Sequence, residues 1–371
     1  MEIIHIVLGK ANPQRMNGVN KVVYQLASNQ SAQGRNVQVW GFSENDDKNY
    51  GDRNFRTQIF KAGRNPFSVI STFEEKVKSC SENTCFHLHG GWIPRFYSVA
   101  KILTKNNRSY ILTPHGAYNK IAMQKNAFVK KVYFNMYEKQ LIKNADYIHC
   151  IGQSEVDGLN ELFPAQRSFL QAYGFDIPTT PKIQNQKNSF VFGFLGRIDI
   201  YTKGLDLLVK AFAQKFKGMQ DVSLWIIGDS EQRAKLEEMV KELGINNQVV
   251  FTGAKFGADK DELLKQINVF LHPSRNEGLP SAVLEAASFG VPSIVSKATN
   301  VGEYIEQYKA GKCVPNENVN ELSEAMFHTY ILDQKEYENL SKNTSQMLKS
   351  TFSWSHVVNR FDRMYQHVTI I

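Results

Sequence analysis

Cysteine is scarce: the chain holds four, Cys80, Cys85, Cys150 and Cys313, and no C-x-x-C pair. Four scattered thiols make neither a disulfide framework nor a thiolate zinc site, and a reducing cytoplasm suits them. Long apolar runs are missing as well; none approaches the ~20 residues that cross a bilayer. The first apolar stretch, residues 3–8, is too short for a signal segment. It has Glu2 where a basic residue would stand, so it reads as a buried strand. No G-x-G-x-x-G follows a strand, which excludes the common dinucleotide oxidoreductases. Internal repeats and low-complexity tracts are absent too.

What remains is an ordinary globular composition. Apolar residues make up 42% and charged residues 22% of 371, which at ~150 residues per domain suggests two domains with separate cores. The formal net charge of +8 is unevenly placed. Residues 1–172 hold 22 Lys and Arg against 13 Asp and Glu, and residues 173–371 hold 22 against 23. The excess is densest between Lys101 and Lys143, where nine basic residues face one acid, Glu138. Such a field recruits anions: a phosphorylated substrate, anionic lipid or nucleic acid. A solvated helix face is the plainer reading. No interleaved aromatic repeat or binding-module signature accompanies the charge, which disfavours nucleic acid.

Short β-branched runs alternate with helical stretches along the whole chain. Strands are predicted at residues 3–8, 37–40, 57–60, 85–88, 110–112, 147–150 and 169–171. A second set falls at 190–195, 223–227, 249–252, 269–271, 293–295 and 312–314. Between them lie predicted helices, among them 19–30, 68–79, 95–105, 126–144 and 155–162, then 205–215, 231–243, 259–266, 281–289 and 319–332. This βα alternation predicts an α/β protein with parallel sheets covered on both faces. Residues 172–188, with Gly174, Pro178 and Pro181, have linker composition and divide the chain. An amphipathic helix at about 353–368 closes it, with Trp354, Val357, Val358, Phe361 and Tyr365 at helical spacing.

One segment carries the chemistry: Ser274-Arg-Asn-Glu-Gly-Leu-Pro-Ser-Ala-Val-Leu-Glu-Ala-Ala-Ser-Phe-Gly290. A strand ends just before it, and a helix begins at Pro280 or Ser281, with Pro suited to the first turn and Ser to the cap. Gly290 and Pro292 end that helix. Amides near Gly278, Leu279 and Ser281 would then stand at a helix N-terminus, where phosphate or sugar oxygens bind well. Open α/β sheets bind ligands at the carboxyl ends of their strands, where this loop would lie. Glu277 stands at the loop and Glu285 eight residues on, among apolar neighbours. A carboxylate so placed needs donors: a ribose diol, or a nearby cation.

These residues resemble the E-x7-E segment of retaining glycosyltransferases of the GT-B fold, the family 4 group. Four further segments follow in family order. Leu195-Gly-Arg-Ile-Asp-Ile-Tyr-Thr-Lys-Gly-Leu205 resembles the G-R…K-G turn, and Leu224-Trp-Ile-Ile-Gly-Asp229 the second-strand turn. Phe251-Thr-Gly253 resembles the F-x-G turn. Asn17-Gly-Val-Asn-Lys-Val-Val-Tyr-Gln-Leu-Ala27 resembles the N-terminal G-G helix start, with Asn17 in place of the first Gly. Thr113-Pro-His-Gly116 and Ala145-Asp-Tyr-Ile-His149 resemble a branch that builds bacterial cell-surface polysaccharides.

The resemblance implies two Rossmann-like domains facing each other across a cleft. Residues 1–172 would bind the acceptor, with the helix at about 354–371 crossing back to them, and residues 173–353 would bind the nucleotide-sugar. It implies a retaining, metal-independent hexosyl transfer with no cofactor, a UDP-sugar being the favoured donor. The acceptor would be a glycan or lipid-linked precursor of surface polysaccharide, O-antigen, capsule or lipopolysaccharide. Arg197 and Lys203 would hold the departing diphosphate, with Gly18, Leu279, Pro280 and Ser281 close to it. Glu277, Gly278 and His115 would meet the donor sugar, with Glu277 and His115 as the catalytic pair. Glu285 would hold the ribose, and the backbone of Gly253 and Ala254 the base. His89 and Asn17 fall on the acceptor side, and His87 in the core. The basic stretch from Lys101 to Lys143 could rest on anionic membrane, placing the protein in the cytoplasm or at the inner membrane face.

Two features point elsewhere and are set aside. Asp259-Lys-Asp261 imitates a D-x-D metal signature, but it opens a helix, so the acids read as cap and first turn. His87 and His89 alternate on a strand with no carboxylate or Cys at ligand spacing. An epimerase of the same fold and a non-catalytic sugar-nucleotide binder are the alternatives.

Overall fold

The computed structural model describes residues 1–13, 18–45, 50–119, 122–123, 126–164, 167–177 and 189–369. The chain divides into two units: Met1–Gly174 with Trp354–Ile371, and Phe175–Ser353.

In the first unit the apolar runs become seven parallel strands: β1 (Glu2–Leu8), β2 (Asn36–Ser43), β3 (Arg56–Lys61), β4 (Thr84–His89), β5 (Tyr110–Thr113), β6 (Tyr147–Cys150) and β7 (Ser168–Leu170), in the order β3-β2-β1-β4-β5-β6-β7. The connecting helices are α1 (Gly18–Ala32), α2 (Ser71–Ser79), α3 (Pro94–Lys105), α4 (Ala127–Tyr133), α5 (Lys139–Lys143) and α6 (Gln153–Leu162). Every residue of β4 and β5 is buried, as expected of central parallel strands sandwiched between helices. The order reverses direction between β1 and β4, the switch point at which such sheets open a crevice for ligands.

The second unit repeats the scheme with β8 (Phe190–Leu195), β9 (Val222–Ile227), β10 (Val249–Gly253), β11 (Val269–His272), β12 (Ser293–Ser296) and β13 (Gly311–Val314), in the order β10-β9-β8-β11-β12-β13. Its helices are α7 (Leu205–Phe216), α8 (Arg233–Glu242), α9 (Gly257–Leu264), α10 (Ser281–Ser288), α11 (Gly302–Tyr308), α12 (Val319–Tyr330) and α13 (Gln334–Met347). Its switch point falls between β8 and β11.

The last helix, α14 (Trp354–Thr369), belongs to the first unit. It buries Val357, Phe361, Met364, Tyr365 and Val368 in one cluster with Val23 and Leu26 of α1 and Ile3 and Val7 of β1. Gly174 lies so close to the Trp354 indole that a Cβ there would overlap the ring. Arg35 and Asp362 pair at 2.6 Å across the same seam.

Two differences from the sequence reading have physical causes. The expected single helix over 126–144 is broken by a π-turn, Phe134–Glu138, between α4 and α5. Glu138 is fully buried there and accepts from the Trp92 N–H at 2.8 Å and the Tyr118 hydroxyl at 2.5 Å. Helices α11 and α13 were not predicted. The polar face of α13 hides its period, although its N-terminus carries a capping box in which Asp333 and Glu336 bond each other's backbone N–H.

Candidate active site

In the second unit the loops after β8 and β11, the two strands at the switch point, are locked together. Gly204 has φ +66°, and a Cβ there would overlap the Pro273 carbonyl oxygen, so only glycine lets the loops touch. The Ser274 hydroxyl donates to the Thr202 carbonyl at 2.7 Å, and the Arg275 N–H to the same oxygen at 2.9 Å. The Arg275 guanidinium forks onto both Asp206 oxygens at 2.8 and 2.9 Å and donates to Glu317 at 2.6 Å. This clamp delivers Lys203 to Glu277, and the two form an ion pair with each side chain about one-fifth exposed.

His272, the last residue of β11, completes the group. Its ring stacks between Phe194 and Phe270 at interplanar angles of 12° and 13°. Its Nε2 lies 3.3 Å from Glu277 Oε2. Burial lowers the imidazole below its ordinary value, so it is neutral and donates Nε2–H to the carboxylate. Burial alone would raise Glu277. The His272 and Lys203 hydrogen bonds outweigh it and hold the carboxyl below its usual range. Glu277 is therefore a fixed anion at neutral pH. Sequence reasoning missed His272; its only signal was a polar residue ending an apolar strand five positions before Glu277.

The other expected residues of this unit lie around that group. Arg197 sits on the loop after β8 with 74% of its side chain exposed, bonded to Asp199 at 3.2 Å. Pro280, not Ser281, occupies the cap position of α10, and Ser281 opens the helix without a side-chain cap bond. Pro280 takes an extended backbone there, its carbonyl accepts from the Val283 N–H at 3.1 Å, and no side chain caps the first turn. Glu285 is paired through one carboxylate oxygen with Lys260 at 2.5 Å, a nearby cation of the kind the sequence allowed for. Lys260 belongs to the Asp259-Lys-Asp261 segment, whose two acids lie on α9 and form no ligand cluster with Glu285. Gly253, at φ +73°, ends β10, and Ala254 beside it is exposed.

A Cβ placed on Gly278 would have no described atom within 4 Å, and the φ of this residue is not left-handed; the same holds for Gly18 at the start of α1. No described part of the protein requires glycine at either place. Gly278→Ala and Gly18→Ala should therefore melt within the equivalent of ~0.5 kcal/mol of the parent. If a phosphate or sugar approaches these backbones, both should lose nucleotide affinity, which calorimetry reads directly. Asn17 lies outside the described residues.

In the first unit, His115 follows β5 in the turn Pro114-His-Gly116, with φ +55°, an unusual conformation for a residue with a Cβ. The carboxyl-edge loops after β1 and β4 carry similar residues, Ala11 at φ +47° and Trp92 at φ +61°. Glu155 holds the turn by accepting from the Gly116 N–H at 2.5 Å and the Ile151 N–H at 3.1 Å. The His115 ring stacks on Tyr173 at an interplanar angle of 18°. His89, expected on the acceptor side, is 1% exposed and bonds His115 through its Nδ1 at 3.1 Å. Strand register explains the burial. His5, His87, His89, Thr113 and His149 all project from one sheet face, covered by α1 and α14. His5, His87 and His89 have ring nitrogens within 4.8 Å of one another, the one group among the described residues close enough to share a metal ion.

Comparison with known proteins now decides the family. A model described as "Glycosyl transferases group 1" matches residues 176–347, and one described as "Glycosyltransferase Family 4" matches residues 16–170. The chain belongs to the group 1/family 4 glycosyltransferases of GT-B fold. A sucrose-phosphate synthase from Thermosynechococcus elongatus shares the fold with a TM-score of 0.73 over 100% of both chains at 20% identity. The Anabaena protein HepE in complex with UDP has a TM-score of 0.70 over 99% of this chain and 100% of its own, at 16% identity. An uncharacterised 41.2 kDa protein of the Klebsiella pneumoniae cps region is 26% identical over 84% of this chain and 87% of its own. The chain spans only 26 to 44% of the length of several other curated relatives it matches. Lys203 and Glu277 of this group lie on the two segments that carry the resemblance, and His272 stands two residues before the second.

Proposed function

We propose that the protein transfers a hexosyl group, with retention, from a nucleotide-sugar to a glycan or lipid-linked acceptor in surface polysaccharide synthesis. One observation carries this reading: a lysine and a neutral histidine converge on Glu277 at the carboxyl edge of the second sheet, beside the open first turn of α10. When the glycosidic bond breaks, negative charge grows on the diphosphate and positive charge on the sugar. Lys203, Arg197 and the α10 amides stabilise the first charge. Glu277 orients the sugar and favours the second. Fixed cations do this work without a metal ion. Glu285 and the Gly253–Ala254 turn hold the nucleoside, and His115 serves the sugar and acceptor. The Anabaena structure with UDP supports a UDP-sugar, and the relative from a cps region supports the polysaccharide setting.

Helices α4 and α5 supply a surface for a lipid-linked acceptor. Phe128, Val129, Val132 and Met136 are exposed, Phe128 by 80%. Lys131, Lys139 and Lys143 stand exposed beside them. Apolar side chains flanked by lysines suit an anionic bilayer surface. At ~1 kcal/mol per lysine, Lys131→Gln with Lys139→Gln should weaken binding to anionic vesicles by roughly 25-fold. Sedimentation with phosphatidylglycerol vesicles measures this, and neutral vesicles should show little difference.

The test of the function is turnover on a panel of UDP- and GDP-sugars with EDTA present. The proposal expects hydrolysis or transfer with at least one donor, and its loss in Glu277→Gln. A strict metal requirement would contradict it.

A further inference from the structure

The histidines on the inner face of the first sheet form one continuous hydrogen-bonded chain, and one end of it is fixed. His149 Nε2 lies 2.6 Å from the Gln171 carbonyl oxygen. A carbonyl only accepts, so Nε2 carries the proton, and in a neutral ring Nδ1 is bare. Thr113 Oγ1, 2.7 Å away, must donate to that Nδ1. Its single proton is then used, so His87 Nε2, at 2.6 Å, must donate to Thr113. His87 Nδ1 is bare and accepts from the Tyr365 hydroxyl at 2.8 Å. The Tyr365 oxygen accepts from the Gln30 amide nitrogen at 3.4 Å, and Gln30 Oε1 accepts from His5 Nε2 at 2.7 Å. His5 Nδ1 accepts from His89 Nε2 at 2.9 Å, and His89 Nδ1 from His115 Nε2 at 3.1 Å. The Tyr173 oxygen, 3.5 Å from the same His115 nitrogen, is a second acceptor for that N–H and leaves the order intact.

We propose that this chain locks His115 as its Nε2–H tautomer, so that it meets substrate with the bare Nδ1, as a hydrogen-bond acceptor for a sugar or acceptor hydroxyl. The substrate half of the proposal rests on the function argued above; the tautomer half does not. Thr113, His87, Tyr365, Gln30, His5 and His89 are positioning residues acting through His115. Burial lowers all five imidazoles, which keeps the rings neutral and the chain unbroken at pH 7.

The chain can be reversed by one atom. Thr113→Val removes the acceptor of His87 Nε2–H and would strand a buried donor. The proton order can relax by turning over: His87 Nδ1–H to Tyr365, Tyr365 to a flipped Gln30 amide, then through His5 and His89. His115 would then receive at Nε2 and carry its proton on Nδ1, while His149 stays held by Gln171.

Long-range 15N–1H correlation spectra of the full chain labelled at histidine read each tautomer directly. The parent should show Nε2–H at His5, His87, His89, His115 and His149. Thr113→Val should show Nδ1–H at His5, His87, His89 and His115 alone, with kcat lowered roughly tenfold or more and the donor KM little changed. Nδ1–H at His115 in the parent would overturn the proposal, as would a Thr113→Val spectrum that matches the parent. Should Thr113→Val not fold, Tyr365→Phe serves: His149 and His87 keep Nε2–H while His115 becomes a mixture, and an unmixed His115 refutes the chain. Parent spectra as expected, with no transfer from any nucleotide-sugar, would sink the function and leave the tautomer lock standing.

Discussion

Lys203→Met lowers kcat by roughly 10²–10³, the effect of deleting one donor aimed at charge that develops in the transition state. The prediction follows from where the clamp puts the ammonium. Arg275, Ser274 and Gly204 hold the loop after β8 against the loop after β11, so Lys203 has little freedom to be replaced by a neighbour. Arg197 is on the same loop but largely exposed, and it cannot stand in for a lysine held at Glu277. The folded state should lose little. Glu277 keeps its His272 partner, and a partly exposed pair contributes at most ~1 kcal/mol. Steady-state kinetics beside a melting curve separate the two effects. A large fall in Tm with unchanged kcat would make the pair a structural strut rather than part of the chemistry.

Acid should unfold the first unit before the second, within about pH 4 to 5.5. Burial lowers His5 and His149 to about 4 from an ordinary 6.5, and lowers His87, His89 and His115 as well. Above pH 6.5 these rings are neutral whether the chain is folded or not. As the pH falls through 6.5 the unfolded chain takes up protons that the folded one refuses, so stability is lost until the folded values are reached. Over that window His5 and His149 each remove ~3 kcal/mol, and the other three act in the same direction. Two buried carboxyls and a half-buried one oppose them. Burial raises Glu155 to about 7 and raises Glu138 and Asp146 in the same sense, so protonating them on acidification stabilises the fold. Glu155 returns ~3 kcal/mol between pH 7 and 4.5. Five imidazoles outweigh three carboxyls, and a second proton on any ring also breaks the chain it belongs to. The remainder is comparable with the ~5–15 kcal/mol that holds a domain together. Hydrogen exchange at stepped pH should show β1 and β4 losing protection while β8 and β11 keep theirs. Protection of β1 surviving to pH 3.5 would contradict the account.

Much of the architecture could be read from periodicity alone, because buried parallel strands announce themselves as apolar runs such as Phe190–Leu195. The ends of elements and the polar helices could not. α13 has the charge pattern of a solvated segment, and only its Asp333 and Glu336 cap marked it. The site was legible where chemistry is local in sequence, as with Glu277, Gly278 and the turn into α10. It was opaque where partners meet through topology. Lys260 reaches Glu285 from another helix, and His272 reaches Glu277 from the end of a strand. The alternation of His87 and His89 was visible, but its meaning needed the parallel register that sets His5 opposite His87.

The most direct measurement is a crystal structure with UDP grown in EDTA. The account predicts the diphosphate within about 3 Å of Lys203 and the Ser281 amide, with Arg197 folded onto it and Glu285 on the ribose hydroxyls. A diphosphate bound away from the loops after β8 and β11, or held there only when a divalent ion is restored, would contradict it.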